Sequence, residues 1–156
     1  MATAIATDRL SCRRKILMYN HDSASANTKQ SAKSGTTTTT WTALEGYGSF
    51  QVCAMLEEGT SVVGIYIYAA TDASATNATE IKTSGVIVCD AEGDWATLEC
   101  SAEEVNAAGR ALGYAFTHVT AYIDCGADTD EVAVVYILDD PMFKYDGLTP
   151  ATTIAA

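Results

Sequence analysis

The sequence predicts an all-β fold: an antiparallel β-sandwich, jelly-roll-like, with one short helical insertion and extended N- and C-terminal arms. Three observations carry that expectation. Charged residues make up only 19% of the 156 residues and Pro occurs twice, a mix that suits strands better than a charged helical bundle. Most apolar residues fall in short runs that alternate with polar ones, the period of a half-buried strand. Only one stretch has both the spacing and the caps of a helix.

Residues 1–35 read as a basic N-terminal arm and linker. Within them RLSCRRKILMYN suits a short amphipathic turn or strand, whereas HDSASANTKQSAKSG is small, polar and without a core pattern. The body is placed at 36–140. TTTTTWTAL opens it as an edge strand, too β-branched for a helix and too polar for a sheet centre, that lets Trp41 reach the core. GSFQVCAML puts Phe50, Val52, Ala54 and Leu56 on one face. EEGT is a hairpin-type turn, and SVVGIYIYAA follows with Val63, Ile65 and Ile67 opposite Gly64, Tyr66 and Tyr68.

A polar loop, TDASATNATE, precedes IKTSGVIVCD, a strand interrupted at Gly85. After the AEGD turn comes the strand WATLEC. SAEEVNAAGRALG is the helical insertion, with Ser101 and Glu104 spaced as a capping box and Gly109 or Gly113 as its end. YAFTHVTAYID and EVAVVYIL close the body as strong strands. The stretch between them, DCGADTDEV, has the length and turn residues of a hairpin loop. Residues 141–156 form a C-terminal arm: Pro141 and Pro150 oppose continuous pairing, yet Met142, Phe143, Tyr145 and Leu148 are apolar for a solvated tail.

Charge is divided unevenly. Residues 1–34 hold six basic residues (Arg9, Arg13, Arg14, Lys15, Lys29 and Lys33) against two acids, so they carry +4. Residues 35–156 hold three basic residues against 18 acids, so they carry −15. A basic leader on an acidic body marks an interaction arm, with Arg9, Arg13, Arg14, Lys15, Ile16, Leu17 and Tyr19 as its partner-binding residues. The overall charge of −11 opposes nucleic-acid binding. Asp8, Arg9 and Arg13 interrupt what would otherwise be a signal-peptide core, and no apolar run is long enough for a bilayer. With five cysteines, an odd number, and no CxxC spacing, the thiols are expected to stay reduced, as in a cytoplasm.

Chemistry-bearing patterns are lacking. There is no GxSxG, Walker sequence, GxGxxG or HExxH. His21 and His118 do not complete a zinc ligand set with the cysteines, and His118 reads as a surface strand residue. Asp124, Asp128, Asp130 and Glu131 offer oxygen ligands, but their order lacks the central glycine and distant glutamate of an EF-hand. The stretch therefore reads as a charged turn whose acids keep its tip wet, so that replacing Asp128 and Asp130 by Asn should change stability little. No metal, cofactor or catalytic residue is expected. If Val119, Ala121 and Ile123 face the core, then Phe116 and Tyr122 face outward, and with Tyr66 and Tyr68 they form an aromatic interface face.

The run TTTTTWTALEGYGSFQVCAML…VGIYIYAATDASATNATEI…DWATLECSAEEV…YAFTHVTAYIDCG…DEVAVVYIL resembles the small β-sandwich virion proteins of tailed bacteriophages, notably head decoration (cement) proteins. The likeness lies in strand texture, in Ala/Thr/Gly-rich loops and in the strand–loop–strand ending. It spans the body and carries over no functional residue. It implies a non-enzymatic capsid decoration protein that grips the lattice through its arms and self-associates as a homo-oligomer, such as a trimer. Its partners would be the major capsid protein and copies of itself, with no nucleic acid and no membrane. Its location would be the virion, after assembly in the host cytoplasm. A tail or head–tail component is the alternative within that class, and a carbohydrate-binding β-sandwich module is the alternative outside it.

Overall fold

A computed structural model describes residues 15–22, 41–87, 89–127 and 130–141. They form antiparallel strands in two four-stranded sheets, with a single short helix among them. In chain order the elements are β1 (Lys15–Asp22), β2 (Thr42–Ala43), β3 (Tyr47–Glu58), β4 (Val62–Ala70), β5 (Thr79–Thr83), β6 (Trp95–Ser101), α1 (Ala102–Leu112), β7 (His118–Cys125) and β8 (Glu131–Pro141). The first sheet has the order β1-β8-β3-β6 and the second β2-β7-β4-β5.

Pairing is nested: β1 with β8, β2 with β7, β3 with β6 and β4 with β5. Two contacts knit these pairs into sheets, β3 with β8 and β4 with β7. It follows that every connection except β4–β5 crosses from one sheet to the other. Two expectations are corrected by this. EEGT and DCGADTDEV are not hairpin turns, because β3 and β4 lie in different sheets, as do β7 and β8. They are corners, and strand alternation cannot tell a corner from a hairpin. A third expectation also changes. Lys15–Asp22, assigned to the arm, pairs along its whole length with β8 and is the edge strand of the first sheet.

The inner faces share one core. Phe50, Val52, Ala54 and Leu56 of β3 and Val132, Val134, Tyr136 and Leu138 of β8 meet Ile65, Ile67 and Ala69 of β4 and Val119, Ala121 and Ile123 of β7. Alternation in β3 and β7 places these residues as the sequence implies, and β8 follows the same period. In β4 the pairing with β7 shifts between Val62 and Gly64, so Val62 is fully buried while Val63 is not. A bulge of this kind flips the parity of everything before it.

Among the described residues β2 covers only part of the β7 edge, and Tyr136 serves the Ala121 amide. The β2 pairs reach only Thr42↔Val119 and Ala43↔His118, so Ala121 lies two residues beyond its end. Fully buried Tyr136 reaches across from the other sheet, and its hydroxyl accepts from the Ala121 N–H at 3.0 Å. That oxygen also lies 3.3 Å from the Thr120 hydroxyl, and the Tyr136 ring packs edge-on against Phe50 at 5.1 Å. A buried N–H without a partner is costly, so the tyrosine satisfies that amide.

The helix forms as the spacing predicts. Ser101 caps it, accepting from the Glu104 N–H, while the Glu104 carboxylate accepts from the Ser101 N–H, and Gly113 ends it in the left-handed conformation. Gly109 is not the cap. A β-carbon there would come within 2.7 Å of the Tyr114 carbonyl oxygen, so glycine lets the chain leaving the helix fold back closely.

Tyr136→Phe should leave the fold intact and lower unfolding free energy by about 1–3 kcal/mol, the cost of an unpaired buried N–H. Chemical denaturation with an unchanged m-value is the check. A loss under about half a kcal/mol would mean that the Ala121 amide finds another partner.

Candidate interaction faces

The corner built by DCGADTDEV has an unexpected centre. Asp130 is fully buried. Its carboxylate accepts from the Thr60 N–H at 2.5 Å and the Ser61 N–H at 3.3 Å in the first corner, and from the Ala127 N–H at 2.8 Å in its own. The Gly126 N–H donates to the Ser61 carbonyl at 2.9 Å, which ties the corners a second time. Burial pushes the Asp130 pKa up, but the hydrogen bonds from Thr60, Ala127 and Ser61 outweigh it and hold the carboxyl below its ordinary range. The expectation that this acid is solvated and dispensable is therefore corrected. Its neighbours keep the opposite character: Glu57, Glu58, Asp90 and Glu92 are exposed around the same end of the sandwich. Among the described residues, no three His, Cys, Asp or Glu side chains are placed to hold a metal.

The aromatic face forms only in part. Tyr66, Tyr68 and Tyr122 come together on the outer side of the second sheet, joined by Trp41 and Ala70. Tyr66 and Tyr122 pack ring edge to ring face at 5.3 Å and 81°. Tyr68 is buried, its hydroxyl donating to Glu80 at 3.2 Å, and its pKa is pushed up to about 12 by burial and then by the Glu80 charge. Trp41 thus joins this outer cluster and not the main core.

The 71–78 loop packs Ala75 and Ala78 against these rings. Asp72 fixes that loop by accepting from the Ser74 and Thr76 N–H groups at 2.8 and 3.1 Å. Phe116 does not belong to the face. It is buried in the main core, because β7 begins at His118 and strand parity does not extend back to residue 116.

A second face lies on the outside of the first sheet and was missed. Trp95 is 62% exposed and Met55 38%. They are register partners, and Met55 in turn faces Ala133, while Cys53 faces Val135 and Gln51 faces Ile137. Cys53, Ala133, Val135 and Ile137 are half-buried, so an apolar stripe crosses the sheet from β6 to β8. The signal was present in WATLEC, where Trp95 shares its face with Thr97 and Glu99 and so must point to solvent.

The thiols show no sign of activation. Cys53, Cys89, Cys100 and Cys125 are free. Burial, followed by nearby carboxylates, pushes Cys100 and Cys125 up to about 12. His118 approaches the Thr117 hydroxyl at 2.8 Å.

Of the arm residues, Arg9, Arg13 and Arg14 lie outside the described residues. Lys15, Ile16, Leu17 and Tyr19 stand on β1 opposite Leu138, Ile137, Tyr136 and Val134. The register thus makes them sheet residues. No protein-family model matches the chain, and no curated protein matches it. No helix among the described residues is long and apolar enough to cross a membrane.

Asp130→Ala should destabilise the protein by about 3 kcal/mol or more at neutral pH, because three backbone donors lose one charged acceptor. Since the folded carboxyl titrates below its unfolded value, the stabilisation is present above the ordinary carboxylate range. It fades as pH falls through the folded pKa. The gap between wild type and variant, measured by denaturation, should therefore narrow below about pH 4. A gap independent of pH would show that packing, and not charge, holds the corner.

Proposed function

We propose that the protein is a non-enzymatic structural component of a virion, a capsid decoration protein on a jelly-roll sandwich. The jelly-roll reading is supported by the nested pairing and by the orders β1-β8-β3-β6 and β2-β7-β4-β5, which describe a ribbon of paired strands rolled over on itself. The functional reading is supported by what the surfaces offer. Among the described residues many titratable groups are tied into turns and caps or lie in solvent, and burial holds the thiols of Cys89, Cys100 and Cys125 in the protonated form. What remains available are sheet faces and strand edges.

The observation that carries the reading is the placement of β1. This edge strand starts opposite Leu138 and ends at Asp22 opposite Glu131. Residues 1–14, with Arg9, Arg13 and Arg14 against Asp8, are therefore attached at the end of the sandwich away from the Asp130 corner. Lys82 pairs with Glu104 at 2.8 Å, and Arg110 sits in the last turn of α1. A basic segment hung from the end of an edge strand suits docking on an acidic shell. The tyrosine face fits a carbohydrate module less well. Its rings pack perpendicular to one another beneath a loop, whereas stacking on a sugar needs an open, flat ring face.

Removing residues 2–14 spares β1 and takes away Arg9, Arg13 and Arg14. The shortened protein should keep its melting temperature and lose most of its binding to undecorated phage heads in co-sedimentation. Binding of the full chain should weaken as salt is raised. Equal binding by both forms would remove the leader from the mechanism. Binding of both to a polysaccharide and of neither to heads would overturn the virion reading.

A further inference from the structure

The stripe Trp95–Met55–Cys53–Val135–Ile137 is uncharged surface on the first sheet, and the chain that leaves that sheet is rich in apolar residues. After Pro141 the sequence continues for 15 residues that include Met142, Phe143, Tyr145 and Leu148 against one Lys and one Asp. Direction decides where those residues can reach. β8 stays in the ladder to its end, with Pro141 opposite Tyr47, while Trp95 and Met55 lie at the other end of the sheet, beside Ala133.

To return over its own sheet the chain would have to reverse at once. The first strong turn pair is Asp146–Gly147, five residues on, or about 17 Å of extended chain. Fifteen residues span at most about 50 Å, and a four-stranded sheet is only about 14 Å across. The segment is long enough to cross a neighbouring sheet completely.

We propose that the outer face of the first sheet is the docking site for residues 142–148 of a second copy, with Phe143, Tyr145 and Leu148 seated on Met55, Trp95 and Val135. The exchange is heterologous, tail to face, so it closes into a ring or extends along a lattice. It rests on the assembly reading and names the contact between copies within it.

Cys53 stands in the middle of the stripe and serves as the reporter. In a Cys12→Ser background, Tyr145→Cys should form a disulfide with Cys53 under mild oxidation. Covalent dimers and higher rungs should appear on a non-reducing gel and disappear when Cys53→Ser is added. Ending the chain after Pro141 should abolish self-association in sedimentation velocity and speed maleimide labelling of Cys53 at least several-fold. A disulfide between Cys53 and the introduced thiol that forms only within monomers would overturn the proposal. So would unchanged self-association and Cys53 labelling in the truncated protein. Co-sedimentation of the truncated protein with undecorated heads separates the two ideas: retained binding leaves the decoration reading standing when tail exchange fails.

Discussion

One buried carboxylate holds together two chain reversals that lie seventy residues apart. Asp130 binds N–H groups from the β3–β4 corner and from the β7–β8 corner, and both corners carry the chain from one sheet to the other. Because β3 pairs with β8 and β4 with β7, the two corners are the two strands of one ribbon at the line where it folds. At such a fold the ladder stops and several backbone groups lose their partners. A carboxylate with spare lone pairs is suited to gather them, and three donors in turn keep it charged while buried. Without that latch the sheets would still be amphipathic, but the corners would keep only the Gly126–Ser61 backbone bond between them.

The rest of the molecule can be read from this fold line. Once the ribbon is rolled, β1 and β6 become the edges of the first sheet and β2 and β5 those of the second. On β7 the Ala121 amide finds its partner in Tyr136, which reaches it through the core. Residues 1–14 attach at the end of the sandwich away from the latch, and the two outer faces diverge in character. One is a set of tyrosines closed over by the 71–78 loop. The other is a flat apolar stripe with Trp95 standing out of it. Surfaces so different on one small body suit contacts with more than one neighbour.

Much of this was legible in the sequence, and the limits have physical causes. Alternation in GSFQVCAML identified the buried residues of β3, EVAVVYIL was legible as a strand, and Ser101 with Glu104 marked the start of the helix, because these signals are local. Corners and hairpins share the same turn residues, so the sheet assignments of β4 and β8 could not be read from EEGT or DCGADTDEV. Asp130 looked like its acidic neighbours because its burial depends on Thr60 and Ser61, far away in the chain. KILMYN resembled an arm because its only strand partner, β8, lies more than a hundred residues later. Phe116 was assigned outward by extending a strand period past the strand's end. Tyr66, Tyr68 and Tyr122 were grouped correctly because β4 and β7 are neighbours and their parity is intact there.

Corners and sheets that share one latch should open as one cooperative unit joined at Asp130, and native-state hydrogen exchange tests this most directly. The amides of Thr60, Ser61 and Ala127 should exchange with the same opening free energy as those of Val52 and Ile67 in the strands, and in Asp130→Ala all three corner amides should lose protection together. Corner amides that exchange as fast as an open turn while the strands stay protected would contradict it. The latch would then be an accessory to a fold that holds without it.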